Sequence, residues 1–194
     1  MSGGLNKKLI NNTDDFLRRY AIKTQSHYFY KKQQDNTNAL SSGDYAVDLV
    51  PAPNEPHPAV YLQVRSRWGK LSHQLDCFFL SAKPNNVNSF TLPSDVDWFF
   101  TDLLTGCQFL IYGSPDRPTV EHNNSLDGSV DYGACLANAQ RGGLLIRVSP
   151  GEQYDASGGE CAVVVGHRQG GAWQFYMQRI DAAQKIHLTK FDSF

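Results

Sequence analysis

The chain has 194 residues, a formal net charge of −1 and 41% hydrophobic residues. A chain of this length buries about 70% of its unfolded surface, so one domain spanning residues 1–194 with a substantial core is expected. No basic block exceeds short pairs such as Lys7-Lys8, Arg18-Arg19 and Lys31-Lys32, which argues against nucleic acid or an anionic membrane as partner, and no apolar run approaches the roughly 20 residues of a membrane span.

The N-terminus, Met1 to Asn6, lacks the charged and apolar blocks of a secretory signal; export by a signal-less route and release from a larger polypeptide both stay open. Thr13 to Tyr20 reads as a short helix capped by Thr13 or Asp14, with Phe16, Leu17 and Tyr20 on its apolar side. Tyr28 to Tyr30 can begin a strand, and Lys31 to Gly43 is polar and reads as a loop. Tyr45 to Val50 alternates as a strand. It is closed by a cluster containing Pro51, Pro53, Pro56 and Pro58, which no central strand tolerates. Ala59 to Arg67 and Leu75 to Ser81 are further strands, and Lys83 to Asn88 is a turn-rich connector.

Asp95 to Leu104 is ambiguous. Ser94 can cap a helix with Asp97 three residues on, and Val96, Phe99, Phe100 and Leu103 then fall at helical spacing. A short helix ending at Thr105-Gly106 is expected. Gln108 to Tyr112 and Thr119 to His122 form a hairpin around Gly113 to Pro118. Leu144 to Val148, Cys161 to His167, Trp173 to Arg179 and Ile186 to Lys190 are strands, with Gly170-Gly171 as a tight hairpin turn. Many short strands and few helices predict an α+β fold: a sandwich of two mostly antiparallel or mixed β-sheets flanked by short helices and long loops.

Cysteines stand at 77, 107, 135 and 161, without zinc-binding spacing. Cys77 and Cys161 lie in apolar strands and read as core; Cys135 reads as core or pocket wall. Cys107 is different. It follows Gly106, which permits a sharp turn and close approach of a substrate to the backbone. The Cys107 N–H can then face an oxyanion. The hairpin returns His122 alongside, so thiol and imidazole can meet as nucleophile and general acid/base. Spacing alone does not reveal a third partner to orient the imidazole.

The block from Val96 to His122 resembles the active-site segment of the bacterial glutamine deamidase toxins, which include the catalytic domain of cytotoxic necrotizing factor and the smaller Burkholderia lethal factor. Their Leu-Ser-Gly-Cys motif corresponds to Leu104-Thr105-Gly106-Cys107, with His122 downstream and Phe99-Phe100-Thr101 matching a Phe-Phe-Thr of the lethal factor. The resemblance implies that the Thr101 backbone carbonyl orients His122 and that Thr105 and Gly106 belong to the oxyanion and substrate-binding turn. It further implies a protein-glutamine deamidase without metal or cofactor, with transglutamination as a side reaction. The protein is then a monomeric, secreted bacterial effector acting in the host cytosol, on a translation-initiation helicase or a small GTPase. Thr105 departs from the family's Ser, and the Cys–His spacing is nearer to that of the necrotizing factor than of the lethal factor.

Other side chains read more plainly. His167 reads as a solvated strand end, His73 and Gln74 as surface, and Asp95 and Asp97 as helix-start charges. Asp155, Ser157 and Gly158-Gly159 read as a recognition-rim loop, and Trp68, Trp98 and Trp173 as core. Two alternatives remain at this level: a chemoreceptor-type glutamine deamidase, and a non-enzymatic β-sandwich binding module. Fast alkylation of Cys107 relative to Cys77 and Cys161 separates enzyme from module.

Overall fold

The computed structural model describes residues 3–24, 42–53, 55–65 and 74–192. The expected strand at Tyr28 to Tyr30, most of the polar loop after it, Trp68 and His73 lie outside these residues. Two helices, α1 (Gly3–Asn11) and α2 (Thr13–Arg19), precede strands β1 (Ala21–Lys23), β2 (Gly43–Pro51), β3 (Ala59–Arg65), β4 (Leu75–Leu80), β5 (Asn86–Thr91) and β6 (Trp98–Thr101). Then follow β7 (Gln108–Ser114), β8 (Arg117–Asn124), α3 (Tyr132–Arg141), β9 (Leu144–Val148), β10 (Cys161–Gln169), β11 (Ala172–Ile180) and β12 (Ile186–Lys190).

The strands form an eight-stranded sheet, β1-β3-β2-β4-β6-β10-β11-β12, and a four-stranded sheet, β5-β8-β7-β9. All pairings are antiparallel except β1 with β3 and β4 with β6. The α+β sandwich expected from the sequence is therefore the architecture observed. Between the sheets lies one apolar layer, with Phe78, Leu80, Phe99, Val164 and Phe175 from the large sheet meeting Phe109, Ile111, Val120, Ile146 and Val148 from the small one. The other face of the large sheet packs Phe79, Trp98, Phe100 and Val165 beneath Leu9 of α1 and Phe16 and Leu17 of α2.

The segment 95–104 is not a helix. Trp98 to Thr101 forms β6, in the middle of the large sheet, parallel to β4 and antiparallel to β10. Both faces of this strand are covered, with Trp98 and Phe100 towards the helices and Phe99 and Thr101 towards the small sheet. A strand buried on both sides is a continuous apolar run, in which helical spacing arises by coincidence. Asp95 and Asp97 therefore do not stand at a helix start.

The connector after β4 also differs from expectation. Asn86 to Thr91 is β5, the edge of the small sheet, and of its six residues only Asn88 is buried. The chain thus leaves β4, crosses to the small sheet as β5 and returns as β6, which makes β4 and β6 parallel. After β6 it crosses again and enters the small sheet as β7. Helix α2 matches expectation in position, but its cap is Asn12, whose side chain accepts from the Asp15 N–H. The Gly170-Gly171 hairpin is as expected, with both residues at positive φ (60° and 89°).

Candidate active site

Cys107 sits at the second crossing between the sheets. Leu104 still belongs to the large sheet through reciprocal backbone hydrogen bonds with Ala162, at 2.7 and 3.0 Å. Gly106 then turns the chain at φ +125°, a conformation that L side chains rarely adopt. Two tyrosine hydroxyls hold the turn. Tyr154 Oη accepts from the Gly106 N–H at 2.9 Å and donates to the Cys107 carbonyl at 2.7 Å. Tyr132 Oη donates to the Gly106 carbonyl at 3.0 Å. The Gly106 N–H is thereby committed to Tyr154, and the contribution of Gly106 here is the turn itself.

The hairpin register places thiol and imidazole on one face. Phe109 of β7 lies directly opposite His122 of β8. Cys107, Phe109 and Ile111 all point into the layer between the sheets. His122 faces the same way as its cross-strand partner Phe109, two residues on from Cys107, and no hydrogen bond joins thiol and imidazole among the described residues. Cys107 is 4% exposed and His122 fully buried.

Thr101 approaches from the facing sheet. It shares the face of Phe99, whose ring stacks on Phe109 at 5.9 Å between centroids. The β6–β10 ladder stops at the Phe100–Val165 pair, and the next N–H, of Val164, donates to Thr101 Oγ1 at 3.0 Å. Because the Asp102 N–H points to Leu80 on β4, the Thr101 carbonyl points to the β10 side, where the hydroxyl has taken the ladder donor. Neither ring nitrogen of His122 has a hydrogen-bond partner among the described residues, so the bond from Thr101 to the imidazole is not made in this structure.

Burial sets the resting charge state. The His122 pKa is lowered to about 4 by desolvation alone. The Cys107 thiol is pushed up to about 11, chiefly by burial; the Thr105 backbone N–H works against that shift and the Asp102 carboxylate adds to it. Thr105 is itself exposed. At neutral pH the pair rests as thiol and neutral imidazole.

Sequence reasoning missed Tyr154, Tyr132 and Asn88, because a lone tyrosine or asparagine has no spacing signature. Asn88 lies opposite His122 on its other flank, in β5. Cys77 is core as expected, and Trp98 and Trp173 are buried. Cys161 is half-buried beside a small satellite cluster. Cys135 is half-buried on α3, where burial raises its thiol and the carboxylates of Glu121 and Asp131 add to the shift. His167 is not a solvated strand end. It is buried on the helix-facing side of β10, stacked on Trp98 at 3.8 Å with Nδ1 3.2 Å from Thr13 Oγ1, away from Cys107. Asp155 accepts from Ser157 Oγ and the Gly158 N–H and so closes its own exposed turn. Among the described residues no group of three His, Cys, Asp or Glu side chains is placed to hold a metal ion.

Fold and site together define an α+β sandwich with Cys107 and His122 both buried near the crossing between its sheets. This architecture is similar to the crystal structure of the C-terminal domain of CNFy from Yersinia pseudotuberculosis, with a TM-score of 0.51 at 9% sequence identity, over 100% of this chain and 98% of that one. No protein-family model and no curated protein sequence matches the chain.

Proposed function

We propose that the protein is a cysteine-dependent protein-glutamine deamidase, a bacterial effector acting on a host protein. The observation that carries the reading is the shared inward face of Cys107 and His122, with Thr101 facing them from the other sheet. The fold likeness to the CNFy domain agrees with it.

The resting pair is neutral, so His122 takes the thiol proton as sulfur attacks the carboxamide carbon. The Cys107 N–H, with a neighbouring backbone donor, holds the oxyanion. Collapse breaks the C–N bond, and the imidazolium gives its proton to departing ammonia. A thioester on Cys107 remains. His122 then removes a proton from water, which attacks the thioester; the products are glutamate and the free thiol. An amine in place of water gives transglutamination. Thr101 contributes its carbonyl as the acceptor that orients the imidazole once substrate is bound, since catalytic hydrogen bonds often tighten only then.

The target classes that fit the resemblance are a translation-initiation helicase and a small GTPase. The test is mass spectrometry of host-cell lysate incubated with the wild type or with Cys107→Ser. Glutamine-to-glutamate conversion at a defined site with the wild type alone is expected. The same peptides from both samples overturn the reading.

A further inference from the structure

β5 contributes one buried side chain, Asn88, and the register sets it directly across from His122. Directly opposed residues share a face, so both point into the layer between the sheets. Asn88 lies on the β5 flank of the imidazole and Cys107 on the β7 flank.

The Asn88 amide is held firmly. Its Nδ2 donates to the Ser81 carbonyl and to Ser42 Oγ, each at 2.7 Å. Ser42 Oγ also accepts from the Ser81 N–H at 3.1 Å. Ser81 directly follows Leu80, the parallel partner of Thr101. Both amide hydrogens are thus spent, one on the end of β4 and one on the residue before β2, and the carboxamide orientation is decided. The acceptor left to it is Oδ1, on the side away from these anchors. Across from it on β8 stands an imidazole whose two buried ring nitrogens have no hydrogen-bond partner among the described residues. A buried polar group without a partner calls for one.

We propose that Asn88 is a positioning residue for His122, its Oδ1 accepting the imidazole N–H on the side away from Cys107. This rests on the Cys107–His122 reading. The same N–H can be shared with the Thr101 carbonyl as a three-centre bond. Asn88 fixes the tautomer that leaves the other nitrogen bare towards the thiol, and it supports the imidazolium formed during attack. Phe109 on β7, Cys107 just before that strand and Thr101 on the large sheet supply no charge for that purpose other than the thiol.

The experiment follows the His122 ring nitrogens by NMR through a pH titration, in the wild type, Asn88→Ala and Asn88→Asp, beside the deamidation rate. A carboxylate at position 88 raises the His122 pKa by about one unit or more. Asn88→Ala changes the tautomer balance and lowers kcat about ten- to a hundredfold with KM nearly unchanged. Ser42→Ala, which keeps Asn88 and removes one anchor, moves both readouts in the same direction by less, and it decides the matter should the Asn88 variants not fold. Unchanged His122 titration and tautomer in the folded variants overturn the proposal. If the wild type shows no deamidation while Asn88→Asp still raises the His122 pKa, the functional reading fails and the role of Asn88 as His122's partner stands.

Discussion

The phenol of Tyr154 donates to the carbonyl of Cys107 at 2.7 Å while accepting the N–H of Gly106 at 2.9 Å. One side chain, 47 residues downstream, thereby spans the peptide on which the thiol is mounted. Burial raises the Tyr154 pKa, so the phenol stays a donor throughout the working pH range. A backbone turn that leads into a strand needs such a brace, because the Thr105-Gly106 link has no ladder of its own.

Tyr154→Phe keeps the ring in the core and removes both hydrogen bonds. A loss of about 1–3 kcal/mol in unfolding free energy is expected from urea melts. On the proposed mechanism the deamidation rate falls further than stability explains, through kcat, because the Cys107 N–H that would hold the oxyanion loses its fixed direction. A folded Tyr154→Phe protein with wild-type kcat contradicts the bracing role.

Gly106→Ala tests the turn by another route. A Cβ at this position meets nothing within 4 Å, so there is no clash to relieve. The cost is conformational, from φ +125°, and amounts to about 1–3 kcal/mol. Thermal melts should show the drop. An unchanged melting temperature would mean that the turn relaxes without penalty.

His122 ties stability to pH. Its folded pKa, about 4, lies below the value of about 6.5 in an unfolded chain. Between these values the unfolded state binds more protons, so stability rises with pH across the window. The contribution is complete above pH 6.5 and is lost on acidification towards pH 4, by about 3 kcal/mol in total. His122→Gln removes this slope. Denaturant melts of both proteins at several pH values between 4 and 7 check it, and parallel curves count against a buried neutral imidazole.

Cys107 bears on how its reactivity should be read. With a thiol near 11 and 4% exposure, it is slow towards a simple alkylating agent at pH 7, and half-buried Cys135 can compete with it. Raw labelling speed therefore does not separate an enzyme from a binding module. The dependence on pH tests the resting charge state instead: Cys107 alkylation, followed by peptide mapping, should climb with pH without a plateau below 10. A plateau near neutrality would reveal a stable thiolate instead.

The sequence carries the hairpin of β7 and β8 well, because alternation and turn residues are local signals. It therefore places His122 on the strand that returns alongside the one Cys107 leads into. It carries β6 poorly, since Trp98 to Thr101 is buried on both faces and leaves no period of two to read. β5 escapes for the opposite reason: an edge strand of Asn, Val, Ser, Phe and Thr with one buried residue shows no apolar stripe. Helix α3 has a cap at Asp131 but buries only Ala139, so its apolar face is almost absent. The Thr101 position was legible only through resemblance. Its hydroxyl bond to Val164, and the tyrosines around Gly106, depend on contacts between distant segments that no local pattern encodes.

The central claim is that Cys107 attacks a glutamine carboxamide with help from His122. A chloroketone analogue of glutamine, built into a short peptide, reports this directly by mass spectrometry of the modified protein. The account predicts a single adduct on Cys107 in the wild type, strongly reduced in His122→Ala, with Cys77, Cys135 and Cys161 untouched. An adduct on another cysteine, or equal labelling of Cys107 with and without His122, would contradict it.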